Sequence, residues 1–150
     1  MKNYRLAVDE NGSPFVLNSK GSIDFGYIIE EMNLPPAPIR IAEGNDSYGL
    51  CHMYKNHSDQ LLEWGFENVV SFVEFVSVNF TTIKEGHGSS YLLEVNADLN
   101  HTLFISLSRG GNYWKVISGG VFRITYSRKK KKVYSVPAFR MPEPVFQAKV

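Results

Sequence analysis

Two of the chain's four histidines stand close together, in Tyr48-Gly49-Leu50-Cys51-His52-Met53-Tyr54-Lys55-Asn56-His57. Imidazole titrates near neutrality. One ring can therefore take a proton from a hydroxyl while a second returns one to a leaving oxygen. Phosphoryl transfer without a metal needs such a pair, plus positive charge or donors on the oxygens of the phosphorane. Lys115 and Arg123 supply charge, and Ser118, Thr125 and Tyr126 supply hydroxyls, all within β-rich sequence. Alternation would put Lys115 and Arg123 on neighbouring strands. The catalytic set read this way is His52, His57, Ser118 and Arg123. Lys55, Lys115, Tyr126 and Lys130 are the expected substrate-binding residues.

Other chemistries lack their residues. Gly44 to Gly49 is not followed by the Lys-Ser/Thr pair of a phosphate-binding loop, and there is no His-Glu-x-x-His. His52 and His57 are five residues apart, about 140° around an ideal helix, so they do not share a face as zinc ligands four apart would. The single cysteine, Cys51, excludes an internal disulfide and a cysteine-based zinc site. No paired-acid cluster suggests a two-metal nuclease. Neither metal nor cofactor is expected.

Each residue also has a plainer reading. His52, among Leu50, Cys51 and Met53, also fits a buried core histidine. His57 fits a solvated helix position, Ser118 the chemistry of a turn at Gly119-Gly120, and Arg123 a charge on a sheet surface. The run at 129–132 fits a solvated loop.

The elements that must position these groups follow from periodicity. Residues 4–8 read as a strand, then a turn at 9–14, with 15–17 able to pair back. Residues 24–32 read as a short helix. The prolines at 35, 36 and 38 force an extended segment into a short strand at 39–41. Asp46 or Ser47 can cap a helix over 48–64 that Gly65 ends. Asn68 can cap a second helix to about residue 79, whose apolar stripe is Val69, Phe72, Val73, Val76 and Phe80. The period then changes to two. Residues 90–96, 102–108, 113–118 and 121–126 read as four strands of an antiparallel meander, with a fifth at 133–136. The expectation is one α+β domain over 1–150, with N-terminal helices packed on one face of a C-terminal antiparallel sheet. Its core spans about 10–136 and an irregular tail covers 137–150.

The formal charge of +1 hides a polarity. Residues 1–108 carry six basic and fourteen acidic residues, whereas residues 109–140 carry nine basic and no acidic ones. Either the basic half meets an anionic partner or it pairs with the acidic half of the same domain. No stretch reads as a signal peptide or a membrane span. A cytoplasmic protein, or one delivered to a target-cell cytoplasm, is expected, with no membrane partner.

At these residues the sequence resembles the phage-associated nucleases of the barnase–EndoU–colicin–RelE superfamily, which occur as toxin domains. The likeness rests on Asn11-Gly12-Ser13-Pro14, Gly21-Ser22-Ile23-Asp24-Phe25-Gly26, Pro38-Ile39-Arg40-Ile41, Tyr48-Gly49-Leu50-Cys51-His52 with His57, and Tyr113-Trp114-Lys115-Val116-Ile117-Ser118-Gly119-Gly120-Val121-Phe122-Arg123 with the basic turn beyond it. It covers about residues 10–136. It implies RNA cleavage without metal to a 2′,3′-cyclic phosphate, with the working groups at His52, His57, Ser118 and Arg123. It also implies an RNA substrate and a cognate antitoxin or immunity protein. Cys51 stands where the family more usually has a basic residue. The alternatives on the same fold are a non-catalytic RNA- or protein-binding module using Tyr113, Trp114 and the basic loop, or a structural phage protein.

Overall fold

The Asp9 carboxylate builds the first turn. It accepts the N–H groups of Asn11 and Ser13, both at 2.9 Å, while Gly12 takes φ 80°. The expected hairpin follows: β1 (Leu6–Val8) pairs antiparallel with β2 (Pro14–Val16). The computed structural model describes residues 4–136. The tail expected to be irregular lies outside the described residues.

The helix expected over 24–32 does not form. Those residues hold β3 (Gly26–Ile28) and one 3-10 turn at Glu30–Met32, closed by Asn33 at φ 66°. The glycine is the reason for the close packing here. A Cβ on Gly26 would sit 2.5 Å from the Ser77 carbonyl oxygen, so this backbone runs directly against a helix. β3 pairs antiparallel with β4 (Ala37–Arg40), which contains Pro38.

The two long helices are α1 (Gly49–Glu63) and α2 (Val69–Asn79). Asn68 caps α2 as its type suggests. Its side-chain oxygen accepts Ser71 N–H at 2.8 Å, and the Ser71 hydroxyl accepts Asn68 N–H in return. The stripe Val69, Phe72, Val73, Val76 and Phe80 is buried. Gly65, at φ 93°, follows the C-cap of α1.

The start of α1 departs from expectation. Neither Asp46 nor Ser47 caps it; Tyr48 is the N-cap and offers no side-chain bond. The backbone caps the helix instead, as Leu50 and Cys51 donate to the carbonyls of Ala42 (3.1 Å) and Glu43 (2.9 Å). The loop folds tightly on itself to do this. A Cβ on Gly44, which has φ +68°, would lie 2.1 Å from the Tyr48 carbonyl oxygen.

The second half supplies β5 (Thr82–Glu85), β6 (Ser90–Val95), β7 (Asn100–Leu107), β8 (Trp114–Phe122), a helical turn α3 (Ile124–Ser127) and β9 (Lys132–Ser135). Among the described residues the order across the main sheet is β3-β4-β8-β7-β6-β5-β9. The protein is therefore α+β, but the sheet is mixed: β4 runs parallel to β8, pairing Ile39 with Trp114 and Arg40 with Lys115. The other pairings are antiparallel. α1 packs on β8, while α2 packs on β3, β6, β7 and α1.

Only three of the four expected strands of the meander exist. Residues 113–118 and 121–126 are not separated by a hairpin at Gly119-Gly120. Both glycines lie inside β8, and the chain turns into α3 after Phe122. β5 has no counterpart in the sequence reading. A buried cluster locks α3 down, with the Ser127 hydroxyl donating to Glu94 Oε2 at 2.5 Å and Lys84 Nζ donating to the Ser127 carbonyl at 3.1 Å. Among the described residues no helix is long and apolar enough to cross a membrane.

Candidate active site

The site forms where α1 lies along an edge of β8. β4 covers that edge only at Trp114 and Lys115. Farther along, α1 takes the place of a strand. The Gln60 side chain donates to the Val121 carbonyl at 2.9 Å and accepts the Val121 N–H at 3.1 Å. The two glycines permit this approach. A Cβ on Gly119 would lie 2.7 Å from the Thr102 carbonyl oxygen and 3.1 Å from Met53 Cε. One on Gly120 would lie 3.1 Å from Gln60 Oε1 and 3.2 Å from His57 Nδ1.

A β-bulge then aims Ser118. Ile105 pairs with Val116 but Phe104 pairs with Ser118, so Ile117 is an extra residue. Before it, Trp114 and Val116 are buried; after it, Gly119 and Val121 are. Without the bulge, Ser118 would share the core face of Val116. With it, Ser118 opens into a cleft of about 520 Å³ with Phe104, Ser106, Phe122 and Tyr126 in its lining.

His52 reaches Ser118 from α1, with Nε2 3.0 Å from Oγ. Its Nδ1 is 2.9 Å from the Asp46 carbonyl oxygen. Nδ1 also lies 3.0 Å from the Asn56 amide nitrogen, so its two neighbours suit opposite tautomers. With the proton on Nδ1, facing the Asp46 carbonyl, Nε2 accepts the Ser118 hydroxyl proton; with Nδ1 accepting from Asn56, Nε2 donates to Ser118 Oγ. Asn56 donates to the His52 carbonyl at 3.0 Å and steadies the same turn. The absent side-chain cap thus has a use, because the Asp46 backbone orients the imidazole.

The rings of His52 and His57 meet edge to face, centroids 5.8 Å apart. Their spacing in sequence argued for separation. The rings come together because Ser118 draws one toward β8 and the space over Gly120 admits the other. Burial lowers the pKa of His57 below its ordinary 6.5, and charge on His52 lowers it further. His57 is therefore predominantly neutral at neutral pH.

The remaining expected residues divide. Tyr126 shares the cleft with Ser118, and Lys130 Nζ lies 5.4 Å from its ring centroid. Lys115 lines an adjoining cleft of about 260 Å³ with Tyr48, and Ser106 and Ile117 border both clefts. Lys55 is engaged in a solvent-exposed ion pair with Asp46 at 3.1 Å. Arg123 is not on a strand opposite Lys115. It is the exposed N-cap of α3, and among the described residues nothing ties its side chain to Ser118 or to either histidine. Trp114 is not a binding surface, being 1% exposed with its indole N–H donated to the Pro35 carbonyl at 2.8 Å.

Sequence reasoning passed over Gln60, Ser106, His87 and the Asp46 carbonyl. A backbone carbonyl leaves no signal in a sequence. Gln60, three residues beyond His57, was the one legible hint. A separate cleft of about 480 Å³, beside α2 and the β1–β2 hairpin, contains none of these groups; within it Glu74 accepts from the Ser19 hydroxyl at 2.7 Å. Among the described residues no trio of His, Cys, Asp or Glu gathers closely enough to hold a metal ion.

The ion pairs among the described residues, Arg40 with Asp9 and Asp24, Lys55 with Asp46 and Lys84 with Glu94, all fall within residues 1–108. None of the basic side chains between 109 and 136 is ion-paired to a described acid. No family model matches the chain, and no curated protein matches it.

Proposed function

We propose that this domain is a metal-independent endoribonuclease of the toxin type. The observation that carries the reading is the pair of imidazoles in ring contact, one hydrogen-bonded to Ser118, whose side chain lines a cleft. His57 takes the proton from a ribose 2′-OH as that oxygen attacks the adjacent phosphorus. The P–O5′ bond breaks, and protonated His52 delivers its Nε2 proton to the leaving oxygen. The products are a 2′,3′-cyclic phosphate and a free 5′-hydroxyl. Once Nε2 carries a proton, the Ser118 hydroxyl is free to donate to a phosphate oxygen. Lys115, Lys130 and the unpaired bases of residues 128–132 attract the backbone. Lys55 has the smaller role of meeting the strand beyond the site.

The resemblance to toxin domains extends the proposal to a barnase-like gathering of helices on one side of the sheet and to a cognate inhibitor. The test is direct. His52→Ala and His57→Ala should each lower RNA cleavage about 10²–10⁴-fold, the usual worth of a general acid or base, while wild-type activity survives EDTA. A folded His52→Ala protein that cleaves at the wild-type rate overturns the reading.

One observation favours a second reading. Arg123 stands apart from the histidines, leaving the phosphorane without its expected guanidinium. A non-catalytic RNA-binding module would use the same basic surface with Tyr126 in place of the buried Trp114. RNA binding with no cleavage under any condition would select it.

A further inference from the structure

We infer that the cleft beside Ser118 is a subsite for one unpaired nucleobase, stacked against Tyr126, so that the ligand of this domain is single-stranded. The inference rests on the ribonuclease reading only for the identity of the strand.

The lining carries no Asp, Glu, Lys or Arg, so its guest is uncharged where it is held. Three rings and Ile117 form the apolar part. Phe122 lies 4.9 Å from Tyr126 and 5.5 Å from Phe104, and Tyr126 lies 6.3 Å from Phe104. Tyr126 is 49% exposed, a large ring left open above half-buried partners. Lys130 Nζ stands over the ring at 5.4 Å from its centroid, and the exposed remainder of the ring offers a flat surface to another flat, neutral group.

Around the rings stand polar groups with capacity to spare. Ser90 Oγ donates to the His87 carbonyl at 2.7 Å and keeps its acceptor lone pairs. Among the described residues neither the Ser106 hydroxyl nor the His87 imidazole has a hydrogen-bond partner in the protein. Hydroxyls rotate and serve donors and acceptors alike, so this rim suits the edge of a base without selecting one base sharply. A pocket of about 520 Å³ is within the ordinary range for a small-molecule site.

Two contacts tie the cleft to a polynucleotide rather than to a free aromatic compound. Ser118, whose hydroxyl meets His52, forms part of its wall, so a base seated here places its phosphodiester next to the histidines. Lys130 sets a cation over the same Tyr126 ring, and the exposed basic side chains of residues 128, 129, 131 and 132 continue from it. A base inside a duplex is covered on both faces and cannot enter.

The experiment is calorimetric titration with a short oligonucleotide carrying 2′-O-methyl groups at every sugar, which cannot be cleaved by 2′-OH attack. It is run as a single strand and as a perfect duplex of the same sequence. Single-strand binding should weaken roughly 5- to 150-fold in Tyr126→Ala, the usual range for losing one base–aromatic stack. Tyr126→Phe should bind like the wild type. Tyr126→Leu, which keeps apolar cover on Phe122 without a ring, should behave like the alanine variant and excludes misfolding as the cause. Wild-type affinity in Tyr126→Ala, or duplex binding as tight as single-strand binding, overturns the inference. Binding that depends on Tyr126 but with no cleavage of ordinary RNA supports the subsite and removes the nuclease reading. Cleavage with binding indifferent to Tyr126 does the reverse.

Discussion

Replacing Gly120 by alanine tests whether α1 sits on the edge of β8. The new methyl would meet Gln60 Oε1 at 3.1 Å, His57 Nδ1 at 3.2 Å and Phe122 Cε1 at 3.3 Å. These are the ends of side chains, which can give way by a few tenths of an ångström. The cost is the Gln60–Val121 pair of hydrogen bonds, at about 0.5–1.5 kcal/mol each. Lower entropy of the unfolded chain returns about 0.4–1 kcal/mol. The net loss is on the order of 1 kcal/mol, or about 2–4 °C in Tm for a domain of this size. Gly119→Ala is the contrast. Its methyl would meet the Thr102 carbonyl oxygen at 2.7 Å and Leu103 Cδ2 at 2.8 Å, so backbone must move. Overpacking of that kind costs about 1–3 kcal/mol, and Tm should fall by roughly 2–12 °C. Function should divide the other way. In Gly120→Ala the His57 ring is pushed off β8, its burial and its contact with His52 weaken, and its titration moves up toward 6.5. Proton NMR of the imidazole C–H signals reads this without any activity assay, and RNA cleavage should fall with it. If Gly120→Ala leaves the His57 titration where it was, α1 does not lie on this edge as described.

Truncating residues 129–132 to neutral side chains should weaken binding of all single strands alike. It should flatten the log-affinity versus log-salt slope by ~0.7 for each phosphate that is no longer neutralised, and an unchanged slope would show these lysines to be only solvated. Acid should destabilise the fold in a window set by two histidines. His57 and His101 both titrate below 6.5 in the folded protein, chiefly because they are buried, so the unfolded chain binds more protons as pH falls below 6.5. Stability is full above 6.5 and is lost as pH drops through the folded values. The urea midpoint should fall between pH 7 and pH 5, and less steeply in His101→Leu, which removes one of the two groups; an equal slope would exclude His101 as a source.

What the sequence determined by itself was local. The reciprocal bonds of Asn68 and Ser71, the apolar stripe of α2, the Asp9 turn and the glycine after α1 each depend on residues a few positions apart. The candidate groups were also legible, because side-chain type is read directly from the sequence and imidazole and hydroxyl stand out by type alone. Partnership over long separations was decided by tertiary structure. Gly119-Gly120 is a turn signal in one dimension, but here the missing Cβ atoms admit a helix from some sixty residues earlier. The parallel β4–β8 pair needed no signature beyond two strands meeting across the sheet. The bulge at Ile117 exists only in the register between β7 and β8, and that register turns Ser118 out of the core toward His52. Arg123 shows the converse. Alternation placed it on a strand beside Lys115, and the chain left the sheet one residue before reaching it. Side-chain type sets what a residue can do, but which face it takes follows from pairing between distant segments, where a shift of one residue reverses the side of the sheet.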